Sequence, residues 1–216
     1  SIVRNRNNQG LNTYACFVDF QKAFDWVDRD LLFNKLSQMY MIGGNFYKAI
    51  KSLYSTSMSR VRVSDKQTDW FNVASGVRQG DALSPTLFSL FLNDLAIGIK
   101  GLNCGIPLSV EDVVSILLYA DDIVLLSDSE EGLQQQLDYL NQWCSKWRLV
   151  VNKNKTEVVH FRRKHKDRTS FEFSLGVNAL NITDEYRYLG LVLNEHMDFS
   201  ATGQILADAG GVLLAL

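Results

Sequence analysis

The spacing of apolar positions changes several times along the chain, and each change marks a new element. Residues 14–20 form an apolar run that contains Asp19 and read as a buried strand. Asp28 or Asp30 can cap a helix whose apolar positions are Leu31, Leu32, Leu36 and Met39. A second helix is predicted through Phe46, Ile50, Leu53 and Tyr54. Residues 59–64 and 70–74 alternate as the two arms of a hairpin do. Ser84-Pro85 places proline at a first helical position, and the helix continues through Leu87, Leu90, Phe91, Leu95 and Ile99. Runs at 113–119 and 123–127 flank Ala120-Asp121-Asp122 as two strands flank a turn. Ser127 and Glu130 have the spacing of a capping box. The helix it opens carries Leu133, Leu137, Leu140, Cys144 and Trp147 at steps of four and three. Residues 157–161 and 170–175 read as strands around a basic loop, and 186–193 as a further strand.

Strands and helices alternate with hairpins among them, which predicts an α+β fold: an antiparallel sheet with helices packed on one face. At 216 residues, with 46% hydrophobic and 21% charged, the chain has the composition of a globular domain able to bury a core. No apolar run approaches the roughly 18 residues of a membrane span, so no membrane partner is expected. Ser1 is followed by neither a basic nor an apolar leader segment. Cys16, Cys104 and Cys144 are scattered, without metal-ligand spacing, and read as core thiols of a reducing compartment. The net charge of −2 runs against the basic balance common in nucleic-acid enzymes, because phosphate contacts need cations. Little chain precedes Asp19, and 201–216 reads as a helix start with nothing to pack on. The sequence is therefore expected to be a piece of a longer protein.

The candidate chemistry lies in three acids. Asp121 and Asp122 are adjacent between apolar strands, and Asp19 ends another apolar strand. Buried like charges are costly unless solvent, basic groups or a divalent cation offsets them. Mg²⁺ is a hard ion held by one or two carboxylates together with substrate phosphates. Taken alone, Asp-Asp between strands equally describes an ordinary turn, since Asp favours turns. Spacing alone does not join Asp19 to Asp121.

Longer motifs give these acids a context. Phe17-Val18-Asp19-Phe20-Gln21-Lys22-Ala23-Phe24-Asp25 resembles the first carboxylate motif of reverse transcriptases. Gly76-Val77-Arg78-Gln79-Gly80-Asp81, followed by Ser84-Pro85, resembles their second palm motif. Tyr119-Ala120-Asp121-Asp122 resembles the YxDD motif, and Asn152, Lys155 and Thr156 the lysine-bearing fourth motif. Tyr188-Leu189-Gly190 is similar to the primer-grip hairpin. The five occur in the family's order, and the Lys-Ala-Phe-Asp and Arg-Gln-Gly forms resemble those of non-LTR retrotransposons and group II introns.

The resemblance implies a polymerase palm with partial fingers over residues 1–200, the chain ending before the thumb, with 201–216 the start of the following region. It implies an RNA-directed DNA polymerase joining a dNTP to a primer 3′-OH on an RNA template, acting inside the cell, in the nucleus. Two Mg²⁺ ions, with Mn²⁺ as a substitute, would be held by Asp19, Asp121 and Asp122 and by the Phe20 carbonyl. Phe24 falls at the steric gate against a ribose 2′-OH. Gln79 and Gly80 correspond to nucleotide contacts, and Lys155 to a residue reaching the departing pyrophosphate. Alternatives stay open: a group II intron maturase, an RNA polymerase of the same palm architecture, or a decayed, non-catalytic relic. Without complete fingers and thumb, residues 1–216 alone are expected to be inactive or feeble.

The basic run Arg162-Arg163-Lys164-His165-Lys166 reads either as a phosphate contact or as a solvated turn. Trp143 and Trp147 are read as packing, and His160 and His196 as structural.

Overall fold

The computed structural model describes residues 2–109 and 112–198. The chain opens with α1 (Ile2–Asn8), β1 (Thr13–Val18), α2 (Arg29–Gln38) and α3 (Gly44–Ser55). Four short strands follow: β2 (Met58–Ser59), β3 (Arg62–Val63), β4 (Lys66–Gln67) and β5 (Phe71–Asn72). Next come α4 (Ser84–Gly101), β6 (Ile106–Pro107), β7 (Val113–Val114), β8 (Ile116–Tyr119), β9 (Asp122–Ser127) and α5 (Glu130–Trp147). The last third holds β10 (Glu157–Phe161), β11 (Ser174–Leu175), β12 (Asn178–Ala179), β13 (Asn181–Thr183), β14 (Glu185–Tyr188) and β15 (Leu191–Asn194).

All six residues of β1 are buried because the strand is central in both directions. It pairs antiparallel with β9 on one side and β10 on the other, in a five-stranded sheet ordered β13-β10-β1-β9-β8. Tyr14, Cys16 and Val18 pack into the main core with residues of α2, α4 and α5, while Ala15 and Phe17 face the opposite way. That second face is closed by Tyr186, Tyr188 and Leu193 of the β14–β15 hairpin together with Ile2 and Val3 of α1. With α2, α4 and α5 on one face the antiparallel sheet follows what the hydrophobic pattern predicts, and the short α1 on the other face is outside it. The edge strand β13 departs from it, pairing parallel to β10.

Individual elements differ from expectation for local reasons. Asp28 caps α2, its Oδ1 accepting the N–H groups of Asp30 and Leu31. The cap of α5 is Ser129, whose Oγ accepts the Gly132 N–H; Ser127 instead accepts the Ser129 N–H, one step outside the helix. On α3 only Ile50 and Tyr54 are buried, and Phe46 and Leu53 are exposed. The strand expected over 170–175 is short and pairs with β12, and 186–193 is a hairpin instead of one strand. The alternating arms at 59–64 and 70–74 form a nested ribbon, β2 with β5 outside and β3 with β4 inside. The apolar segment 201–216 lies outside the described residues.

Trp143, Trp147, His160 and His196 have packing or hydrogen-bonding roles. Trp143 and Trp147 meet Phe91 edge-on in the core. His196 contacts Arg162 and Glu195. His160 is buried, stacked on Tyr14 at 4.5 Å, and its Nδ1 accepts the Thr169 N–H. Burial, reinforced by the Arg162 charge, pushes its pKa from 6.5 down to about 4. The neutral ring thus stabilises the fold fully above pH 6.5, and this stabilisation is lost as the pH falls toward 4. We expect urea denaturation to show a loss of up to about 3 kcal/mol from this residue across that window. His160→Phe should flatten that part of the profile, and an unchanged profile would refute the assignment.

Candidate active site

Strand pairing brings the acids together. β1 and β9 are in register from Tyr14 opposite Ser127 to Val18 opposite Ile123, so the next opposed positions are Asp19 and Asp122. Phe17 and Val124 both lie on the hairpin-covered face. Two residues further on, alternation puts Asp19 and Asp122 on that same face, side by side. Tyr119 opposes Asp122 across the β8–β9 hairpin, leaving Ala120 and Asp121 as its two-residue turn. Ala120 holds φ 54°, where a Cβ costs roughly 1–2 kcal/mol. The acidic tip is thus a strained turn that β pairing enforces.

Asp121 lines a cleft of about 630 Å³ together with Phe24, Gln79 and Gly80. Asp19 lines a second cleft, of about 500 Å³, with Phe20, Lys22, Asn152 and Lys155. Asp122 stands electrostatically between them. Its carboxyl is held above the ordinary carboxylate range by burial first, then by the charges of Asp121 and Asp19. Among the described residues, none of the three acids forms a salt bridge. Half-buried carboxylates set close together, without a salt-bridge partner among the described residues, suit a hard divalent cation. No three His, Cys, Asp or Glu side chains among the described residues are drawn into a metal-holding group. Asp19 and Asp121 line separate clefts, and Mg²⁺ is an ion that takes one or two carboxylates and completes its shell with substrate oxygens.

The backbone around Asp19 is fixed from the side of β10. Its N–H donates to Thr156 Oγ1, and its carbonyl accepts the Asn152 N–H at 2.7 Å. Because successive carbonyls of an extended strand alternate, that of Phe20 points to the other edge, the side of β9. The Phe20 side chain is buried and its backbone bridges to Val151. Lys155 is exposed beside the Asp19 cleft, its carbonyl accepting the Tyr186 hydroxyl. Tyr186 also stacks on Phe17 at 4.3 Å. Burial raises its pKa, with the charges of Asp19 and Asp122 adding to the shift. The sequence marked Tyr188 through the primer-grip motif, but not the stacking of Tyr186 on Phe17 beside the acids.

The Gly76 segment also meets the segment that carries Phe24. The Gly76 N–H donates to the Val27 carbonyl and the Val77 N–H to the Phe24 carbonyl, docking 76–77 on the turn that follows Phe24. Gly76 has φ +81°, and a Cβ there would lie 2.8 Å from the Asp25 carbonyl oxygen and 2.9 Å from that of Phe24. Gly76→Ala is expected to cost about 2–4 kcal/mol, combining left-handed strain with an unyielding backbone clash. Chemical denaturation would show this as a lower midpoint at an unchanged m-value. Gly80 also has φ +81° but meets nothing within 4 Å, so its freedom is conformational and the space beside it is open. Phe24 is half-buried and stacked on Phe88 at 4.7 Å, and the Gln79 amide donates to Asp25 Oδ1 at 2.9 Å.

The basic run does not present a row of free cations. Arg163 donates to the carbonyls of Asn7 and Asn8 at the end of α1, and Lys166 to that of Gly10. Arg162 and Lys164 pair with Glu195 and Asp198. Tyr188, Leu189, Gly190 and Leu191 form a tight turn between β14 and β15, with positive φ at Leu189 and Gly190.

The family described as reverse transcriptase (RNA-dependent DNA polymerase) matches residues 2–193. The chain belongs to that family. The match takes in Asp19, the docked segments, the acidic hairpin and Lys155. A reverse transcriptase relative, the RNA-directed DNA polymerase from mobile element jockey of Drosophila funebris, is 30% identical over 86% of this chain. The probable RNA-directed DNA polymerase from transposon BS of Drosophila melanogaster is 32% identical over the same share. The Pol polyprotein of retrotransposable element R2 from Nasonia vitripennis is 29% identical over 94%. The chain spans about a fifth of the length of each, 20%. A telomerase of Candida tropicalis, solved with a fragment of telomeric RNA, superposes with a TM-score of 0.63. It covers 92% of this chain and 32% of the telomerase at 15% identity, a likeness of fold. The reverse transcriptase fold seen here is thus a mixed α+β palm.

Proposed function

We propose that this chain is the catalytic palm of a non-LTR retrotransposon RNA-directed DNA polymerase. The observation that carries the reading is the single cleft shared by Asp121, Phe24, Gln79 and Gly80. In this reading the primer 3′-oxygen attacks the α-phosphorus of a dNTP, and pyrophosphate leaves. Asp19, Asp121 and Asp122, with the Phe20 carbonyl, would hold divalent metal, which lowers the charge cost at the attacking and leaving oxygens. Gln79, its amide oriented by Asp25, offers hydrogen bonds to sugar or phosphate. Gly80 leaves room for the nucleotide to approach the backbone. Lys155, across the Asp19 cleft, offers a positive charge to the departing phosphates.

Phe24 is the gate in this reading, because its ring is pinned by Phe88 at the edge of the cleft. Primer extension by the intact protein tests both activity and gate. Wild type should extend a DNA primer on an RNA template with dNTPs and stop when the divalent ion is chelated. Phe24→Val should raise the use of ribonucleotides relative to deoxynucleotides by about tenfold or more, measured as a ratio of kcat/KM. Equal discrimination in the variant would remove the gate. No extension by the intact protein, with all three acids in place, would favour a non-catalytic relic.

A further inference from the structure

The ribbon of residues 58–72 is not absorbed by the reading above. Every residue from 60 to 72 is exposed, among them Val61, Val63, Trp70 and Phe71. Four large apolar side chains exposed on one short ribbon are what a contact surface would use. The ribbon carries Arg60, Arg62 and Lys66 against Asp65 and Asp69, and more basic side chains flank it. Residues 44–80 carry six basic side chains, Lys48, Lys51, Arg60, Arg62, Lys66 and Arg78, against two acidic ones, Asp65 and Asp69. This segment is therefore at +4 in a chain of net −2. The Arg60 guanidinium lies over the Trp70 ring at 4.8 Å.

Between the ribbon and the docked segment runs a cleft of about 960 Å³, lined by Met58, Trp70, Arg78 and Gln79 among others. Arg78 and Gln79 also line the cleft that holds Asp121. A path thus runs from the ribbon, past Gln79, to the acids.

We propose that the 58–72 ribbon and its cleft bind single-stranded nucleic acid, with Trp70 stacking on a base and Arg60, Arg62 and Lys66 meeting phosphates. Basic side chains interleaved with exposed aromatics form the surface that unpaired strands take, since every base offers a face for stacking. A duplex hides those faces. A protein partner would find an apolar patch set among Arg60, Arg62 and Lys66, which form no salt bridge among the described residues, and charge complementarity assigns such a surface to a polyanion. That the strand is the template, fed toward Asp121, rests on the polymerase reading.

Fluorescence anisotropy with the 216-residue chain and a short, unstructured, fluorescein-labelled RNA tests this across a KCl series. A DNA of the same sequence and an RNA duplex serve as further probes. Tighter binding of both single strands than of the duplex is expected. Arg60→Gln, Arg62→Gln and Lys66→Gln together should lower the dependence of log Kd on log salt by roughly two, at about 0.7 per contact. Trp70→Leu should weaken binding about tenfold at every salt concentration and leave that slope unchanged. All four positions are exposed, and thermal melts matching wild type would show that the variants fold.

Wild-type affinity in both variants would overturn the proposal, as would preference for the duplex. A change in sedimentation without a change in RNA affinity would also overturn it, in favour of a protein interface. Binding without any extension by the intact protein would remove the polymerase reading and leave the ribbon's role standing. Extension with ribbon variants that bind normally would do the reverse.

Discussion

Replacing Asp121 by Asn is expected to reduce metal-dependent primer extension by the intact protein roughly a thousandfold or more. The change keeps shape and hydrogen-bonding capacity but removes one negative charge at the cleft shared with Phe24 and Gln79. Metal stabilisation of the oxygens in phosphoryl transfer supplies several kcal/mol, and each 1.36 kcal/mol is about tenfold in rate. The folded state should not suffer. Asp121 occupies a hairpin turn, makes no salt bridge among the described residues, and adds to the repulsion felt by Asp122. Steady-state extension rates, measured alongside melting of both proteins, check the two halves. Extension equal to wild type would remove Asp121 from any metal-binding role.

The second large effect concerns a lysine far from the acids in sequence. Lys35 of α2 is wholly buried, its Nζ 2.5 Å from both Asp94 Oδ1 and the Phe91 carbonyl. Three aromatic rings surround the ammonium, with Trp147 at 3.6 Å, Phe91 at 4.4 Å and Trp143 at 4.8 Å. Burial pulls its pKa down to about 8, with Asp94 working against that shift. A buried ion pair gains little over a well-packed apolar pair, but half of one is costly. Asp94→Ala should therefore destabilise the protein by about 3–5 kcal/mol, because it strands the charge. Lys35→Met, which keeps length and ring contacts, should cost far less, and the double variant should be closer to the lysine variant than to the aspartate one. Denaturation midpoints for the three proteins decide this. A mild Asp94→Ala together with a severe Lys35→Met would invert the account.

Elements governed by local periodicity were legible from the residues. The apolar run of β1, the α4 stripe after Ser84-Pro85 and the α5 stripe from Leu133 to Trp147 each contain their own signal. The cap of α5 was not, because both Ser127 and Ser129 precede Glu130 and only the backbone geometry decides between them. Lys35 was hidden for a related reason. A single lysine on a helix normally points to water, although its neighbours Leu31, Leu32, Phe33 and Leu36 leave α2 little polar face. The meeting of Asp19 with Asp122 depends on a ladder between residues a hundred positions apart, which no local pattern encodes. Motif order alone placed them in one site. The basic run at 162–166 looked like a phosphate surface because sequence shows charges and not their partners. Its cations are largely occupied by α1 carbonyls and by acids of the 195–198 turn.

One consequence of the β1–β9 ladder concerns tolerance of length change. The spacing of Asp19 and Asp122 is set by direct strand pairing, and the chain between them is anchored again where Gly76 and Val77 dock behind Phe24. The stretch inside the nested ribbon, between β2 and β5, hangs outside both anchors. Closing a longer loop costs only about 0.6 kcal/mol per doubling of its length. Insertions and deletions can therefore accumulate in the ribbon without disturbing the acids, so homologous chains can diverge in what this arm grips while the chemistry stays in place.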